Sequence, residues 1–218
     1  MESYGKNYLP ALRFQFLTRF YDPVVRMTTR EFTFKRALLK QARLKNGQTI
    51  LDLACGTGTL SVAIKKNFPE TLVTGFDADR EILRMAREKA ANHSTDIQFR
   101  RGFSDALPFP ENNFDRVFST LAFHHLTLDK KIETLHEIRR VLKPGGEFHL
   151  ADYGLPRNKR QFILSKVVRA IDGPDTTEDN LRGRLGLLME QNGFPEVERT
   201  GYFKTVIGTI RLFRAIKP

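Results

Sequence analysis

The stretch Ile50-Leu51-Asp52-Leu53-Ala54-Cys55-Gly56-Thr57-Gly58-Thr59-Leu60 decides the fold. Residues 49–54 form a short, mostly apolar run that ends at glycines, the pattern of a buried strand. Residues 59–67 then place Leu60, Ala63 and Ile64 at helical spacing, and Pro69 closes the segment. Between them, Gly56 and Gly58 let the backbone turn tightly and let a ligand approach main-chain atoms that a side chain would shield. The helix that begins near Thr59 points its free N–H groups at the same spot. A glycine turn between strand and helix therefore predicts a nucleotide-type site at the carboxyl end of a parallel sheet.

Working outward, the same alternation continues. Residues 72–76 read as a second strand, and Asp79 caps a helix reaching Ala91 with Ile82, Leu83 and Ala86 on one face. Strands are predicted over 97–101 and 114–119, then a helix over 128–142 with Ile132, Leu135, Ile138 and Val141 recurring every three residues. Lys143-Pro144-Gly145-Gly146 stops that helix and turns the chain into a fifth strand, 147–152. Residues 180–191 read as one helix stopped by Asn192-Gly193, followed by two strands, 197–206 and 209–216, joined as a hairpin. Upstream, residues 9–27 and 28–45 read as two helices, the first with Leu9, Leu12, Phe16 and Phe20 in a stripe that packs onto the domain. This pattern predicts an α/β fold with a parallel sheet covered on both faces. It divides into an N-terminal helical cap over 1–46 and a ligand-binding domain over 47–218, with a variable acceptor-side insertion over 153–179.

Composition narrows the class. Hydrophobic residues at 40% support a sizeable core, and the single cysteine, Cys55, excludes an internal disulfide or a cysteine-rich zinc site. No apolar run approaches a membrane span and no signal segment opens the chain, so a cytoplasmic protein is expected. The net charge of +11 falls as +7 over residues 1–46, −1 over 47–152 and +5 over 153–218. Basic flanks of this kind attract anionic surfaces, which suggests docking at the periphery of an anionic membrane. They also permit RNA, but the arginines are not clustered with aromatics as a stacking platform, which disfavours nucleic acid as a partner.

The chemistry turns on two acids. Asp77, at the end of the second strand, stands 21 residues after Gly56, the distance at which a carboxylate receives ribose hydroxyls in dinucleotide sites. Yet Ser61 stands where a dinucleotide site prefers glycine, and Asp52 precedes the loop. A pyrophosphate is repelled by such a carboxylate, whereas the sulfonium and amino groups of S-adenosylmethionine are attracted to it.

The segment 50–60 resembles motif I of the class I S-adenosylmethionine methyltransferases, in the branch of the ubiquinone/menaquinone biosynthesis methyltransferases. The resemblance extends through Gly75-Phe76-Asp77, Leu107-Pro108-Phe109-Pro110, Phe114-Asp115-Arg116-Val117, His124-His125-Leu126, Leu142-Lys143-Pro144-Gly145-Gly146 and Asn192-Gly193-Phe194, with Tyr21-Asp22-Pro23 similar to the branch's lead segment. It implies a Rossmann-like, doubly wound seven-stranded sheet whose last strand is antiparallel. It also implies a methyl transfer from S-adenosylmethionine to a small, amphipathic or lipid-like acceptor, leaving S-adenosylhomocysteine. By position it places Asp52, Ala54, Gly56, Thr57 and Gly58 around the methionine part, Asp77 on the ribose and Ala78 beside the adenine. Ser119 and Thr120 lie along the methionine chain, with Tyr21 closing over the donor. The acid usual after the third strand's glycine is replaced by Phe103, so Ser104 or Asp105 is expected to serve the adenine. A planar-amine turn of the Asn/Asp-Pro-Pro-Tyr/Phe type is absent at 120–123, which argues against DNA bases or glutamine amides as acceptors.

His124, His125 and Tyr153, with Asp152 beside it, are the candidate acceptor-side groups, because a general base assists when the acceptor carries a hydroxyl proton. A third metal ligand near the histidine pair is lacking at suitable spacing, so no metal is expected. Cys55 reads as a small packing residue. Two other readings are an RNA-modifying or RNA-binding protein and a non-catalytic donor-binding subunit.

Overall fold

The computed structural model describes residues 30–156, 161–162, 174–206 and 208–218. Strands β1 (Thr49–Leu53), β2 (Leu72–Asp77), β3 (Gln98–Arg101), β4 (Phe114–Thr120), β5 (Leu142–Gly154), β6 (Val197–Lys204) and β7 (Thr209–Ile216) form one sheet in the order β3-β2-β1-β4-β5-β7-β6. The pairs β1–β2, β2–β3, β1–β4 and β4–β5 are parallel. β7 runs antiparallel to both β5 and β6, so the last strand is the reversed one. Helices α1 (Glu31–Ala42), α2 (Thr59–Asn67), α3 (Arg80–Asn92), α4 (Leu128–Val141), α5 (Pro174–Leu181) and α6 (Leu185–Gln191) cover the sheet.

Side-chain alternation along the strands builds two cores. Leu51, Leu53, Val117, Phe148 and Leu150 face Leu135, Ile138 and Val141 of α4 and Leu185 and Met189 of α6. Ile50, Phe118, Ala151 and Leu212 face the other way, against Phe34, Leu38 and Ala42 of α1 and Leu60 and Ile64 of α2. The central strands β1, β4, β5 and β7 are thus buried on both faces, as an α-covered sheet requires, while the edge strands β3 and β6 are largely exposed. Chain progression reverses between β1 and β4, and this switch point opens a crevice at the strands' carboxyl ends.

Asp79 caps α3 through its side chain, accepting from the N–H groups of Glu81 and Ile82. Three sequence expectations are corrected. The helix expected over 180–191 is two helices, because Gly183 takes a left-handed φ of 72° and ends α5 before α6 begins. The helix expected over 28–45 is observed as Glu31–Ala42, ended by Arg43 in a left-handed conformation. The fifth strand begins at Leu142, not 147: Phe114 pairs with Leu142 and Arg116 with Glu147, so the Lys143–Gly146 turn is a bulge inside the strand. The helix expected over 9–27 lies outside the described residues. None of the helices among the described residues is long and apolar enough to cross a membrane.

Candidate functional site

The loops at the carboxyl ends of β1, β2 and β4 enclose a cavity of about 450 Å³, within the usual range for small-ligand sites. Its floor is the turn after β1. Gly56 and Gly58 take φ of 56° and 74°, the left-handed region where a side chain is costly. A Cβ on Gly56 would meet nothing, whereas one on Gly58 would stand 3.1 Å from the Ala86 Cβ. The first glycine therefore leaves main chain open to the cavity, and the second lets the turn pack on α3. Lys89 of α3 fixes the loop from outside, its Nζ donating to the hydroxyls of Thr57 and Thr59 at 2.8 Å.

Asp77 ties the second strand to this turn. Its Oδ2 accepts the Gly56 N–H at 2.9 Å and its Oδ1 accepts the Asp79 N–H at 3.0 Å. Burial raises its pKa, and those two N–H groups oppose the rise. Asp52 lies fully buried under the turn, with Oδ2 accepting the Ser61 hydroxyl at 2.5 Å. Burial pushes its pKa up to about 6, against the pull of the Ser61 hydroxyl and the Lys35 charge. Cys55 is buried beside it, and its thiol is pushed up by burial and by Asp77, which makes it a packing group rather than a nucleophile.

The cavity collects Ala54, Gly56, Thr57, Asp77, Ala78, Ser104, Asp105, Ser119, Thr120 and His125 of the residues expected from sequence. Asp52, Gly58, His124 and Tyr153 are not among its lining residues, and Tyr21 lies outside the described residues. Ala54 and Leu121, at the ends of the neighbouring strands β1 and β4, both hold φ of 54° although neither is glycine. Such backbone strain persists where surrounding structure fixes it, commonly at ligand sites. At the β3 end, Phe103 lines the cavity and is 45% exposed. The Ser104 hydroxyl pairs with that of Thr134 at 2.8 Å, and Asp105 is ion-paired with Lys130.

The two histidines part in role. His124 is buried, with Nδ1 2.7 Å from Asp152 Oδ1 and its ring edge-on to Tyr153 at 4.8 Å. Asp152 also accepts the N–H groups of Ala122, Phe123 and Tyr153 and the Asn180 amide, so it knots the turn after β4 to β5 and α5. Burial alone would raise Asp152, but His124 and these N–H groups hold it below the ordinary carboxylate range. His125 lines the cavity, and burial together with the neighbouring His124 pushes it down to about 3. It is neutral at neutral pH.

Sequence reasoning missed Glu31, Lys35, Phe123, Leu126, Lys130 and Thr134, all lining the cavity. The i,i+4 spacing of Glu31 and Lys35 was visible, but nothing in the local pattern says that this end of α1 reaches the site.

Among the described residues three buried side-chain oxygens have no hydrogen-bond partner, Asp52 Oδ1, Asn180 Oδ1 and Ser119 Oγ, and of these residues Ser119 alone lines the cavity. Unsatisfied buried polar atoms are rare and costly, and a polar group of a ligand would satisfy the Ser119 hydroxyl on the cavity wall. The residues present thus fit a cationic nucleoside ligand: acids at the turn, a second acid at ribose distance, and open main chain between.

Comparison with known proteins agrees with this geometry. Residues 50–146 match the family model of a methyltransferase domain. The chain is 34% identical over 205 residues to the ubiquinone/menaquinone biosynthesis C-methyltransferase UbiE of Escherichia coli O1:K1 / APEC, covering 84% of this chain and 80% of that protein. It is 28% identical over 192 residues to the demethylmenaquinone methyltransferase of Deinococcus radiodurans, covering 84% and 76%. In three dimensions it resembles the Haemonchus contortus phosphoethanolamine N-methyltransferase 2 solved with phosphomonomethylethanolamine and S-adenosylhomocysteine, with TM-score 0.69, 19% identity and coverage of 86% of this chain and 53% of that one. That last likeness is one of fold.

Proposed function

Because the chain belongs to the class I S-adenosylmethionine-dependent methyltransferases, in the UbiE-like branch, we propose that it methylates a small apolar acceptor of the reduced-quinone type. The enzyme uses S-adenosylmethionine, which supplies a methyl group already activated on a sulfonium. What the chain itself contributes is position and exclusion of water. Asp77 holds the ribose hydroxyls, Gly56 and Thr57 line the methionine part, and Ala78 lies beside the adenine with Phe103 across from it. Ser119, whose hydroxyl has no partner on the cavity wall, lies along the methionine chain.

One observation carries the acceptor reading. The wall after β4 is Leu121, Ala122, Phe123, His125 and Leu126, an apolar surface with one imidazole held neutral. A neutral imidazole accepts a hydrogen bond from a ring hydroxyl without bringing charge into that surface. The electron-rich ring of a hydroquinone then presents its carbon to the methyl in line. His124 and Asp152 act one step back, fixing the turn that carries His125. The names of the relatives point the same way, since UbiE and the Deinococcus protein are named for quinone methylation.

The test is transfer of labelled methyl from S-adenosylmethionine to reduced demethylmenaquinone, with phosphoethanolamine and RNA as competing acceptors. Label in the quinone fraction alone supports the proposal; label in phosphoethanolamine or RNA, with none in the quinone, refutes it.

A further inference from the structure

We propose that the Glu31–Lys35 ion pair on α1 is the receptor for the zwitterionic amino-acid end of S-adenosylmethionine, Lys35 taking the α-carboxylate and Glu31 the α-ammonium. This rests on the donor occupying the cavity over the β1 turn.

The placement follows from how α1 packs. Phe34, Leu38 and Ala42 form its buried stripe against the sheet. At its far end the Ala42 carbonyl accepts from Arg116, near the start of β4. Its first turn is thereby carried to the carboxyl ends of the strands, where Glu31 and Lys35 both line the cavity. They stand one helical turn apart and are joined side chain to side chain, with only 9% and 12% of their side-chain surface exposed.

Charge makes the assignment specific. The cavity's other groups near the β1 and β2 ends are acids, Asp77 and Asp79, with Asp52 beneath. A ligand carboxylate brought there without a cation would be repelled. Among the described residues the lining cations are Lys35 and Lys130, and Lys130 is tied to Asp105 and Glu133 at the β3 end. The Lys35 charge is felt by Asp52 and Cys55, and Lys35 lines the same cavity as Ala54–Thr57 of the turn. A half-buried ion pair of one acid and one base presents the complement of an α-amino acid, so each ligand charge meets its opposite and neither is left unpaired.

The experiment compares two ligands by calorimetry: S-adenosylhomocysteine, which has the amino-acid end, and 5′-methylthioadenosine, which lacks it. Lys35→Met should weaken S-adenosylhomocysteine by about tenfold or more, the loss of a charged hydrogen bond, and leave 5′-methylthioadenosine unchanged. Glu31→Gln should give a selective loss in the same direction. Retained 5′-methylthioadenosine binding reports an intact fold; should the Met variant not fold, Lys35→Gln carries the same comparison. Equal loss of both ligands, or undiminished S-adenosylhomocysteine binding, overturns the inference. Failure of 5′-methylthioadenosine to bind the unaltered protein would instead overturn the donor site on which it rests.

Discussion

The carboxylate of Asp77 accepts the backbone N–H of Gly56 at 2.9 Å, joining two positions 21 residues apart in the chain. One side chain therefore shapes the glycine turn and, in the proposed complex, holds the ribose. Both oxygens already receive a backbone donor, because Oδ1 accepts the Asp79 N–H. Asp77→Ala should weaken S-adenosylhomocysteine by about 1–3 kcal/mol, the range for a hydrogen bond to a charged group. Asp77→Asn should do no better, because its amide NH2 would face one of those N–H donors. Calorimetry checks both; an Asn variant with unaltered affinity would contradict the geometry.

The two glycines of the turn should fail differently. Gly56→Ala places a Cβ in open space at a φ of 56°, so stability should fall by about 1–2 kcal/mol, the left-handed penalty, while donor affinity falls further. Gly58→Ala adds a contact of 3.1 Å with Ala86 and 3.3 Å with Phe99, so stability should drop by a further ~1–3 kcal/mol. Urea unfolding of the two variants, read beside ligand titration, separates the effects.

Asp152 and His124 are a buried pair at 2.7 Å, and removing one partner strands the other. Asp152→Ala should cost about 3–5 kcal/mol, the range for breaking such a pair, because five contacts converge on that carboxylate. His124→Ala should lower the melting temperature more than it lowers donor affinity. A His124 variant of full stability and abolished turnover would make it a catalytic base and contradict the positioning role.

The same turn gives a pH signature. His125, at about 3 in the fold against 6.5 for the free imidazole, stays neutral while the unfolded chain binds a proton. Its contribution is fully present above pH 6.5 and is lost as pH falls towards 3. Asp52, raised from 3.8 to about 6, works with the opposite sign: its contribution is present below 3.8 and is lost as pH rises through 6. His125→Asn should therefore flatten the acid-side decline of the melting temperature below pH 6.5. An unchanged slope in scanning calorimetry across that range would contradict burial of a neutral imidazole.

Much of this was legible in the sequence, for local reasons. Short apolar runs such as Ile50–Leu53 and the spacing of Ile132, Leu135, Ile138 and Val141 report burial directly, so strands, helices and their order could be read. Asp77 was legible because a fixed βαβ geometry converts sequence distance into space. What escaped depends on contacts between distant segments. The left-handed Gly183 splits a helix whose apolar residues run on across the break, and the Lys143–Gly146 bulge exists only because β4 and β7 fix its flanks. Likewise Glu31 and Lys35 carry no local signal of a site, because only the packing of α1 brings them to the cavity.

The most direct test of the donor site is a crystal structure with S-adenosylhomocysteine. The account predicts ribose hydroxyls on Asp77, the methionine part over Gly56 and Ser119, and the sulfur facing the wall that carries His125 and Leu126. Ligand density away from the β1 turn, or a ribose that leaves Asp77 untouched, would contradict it.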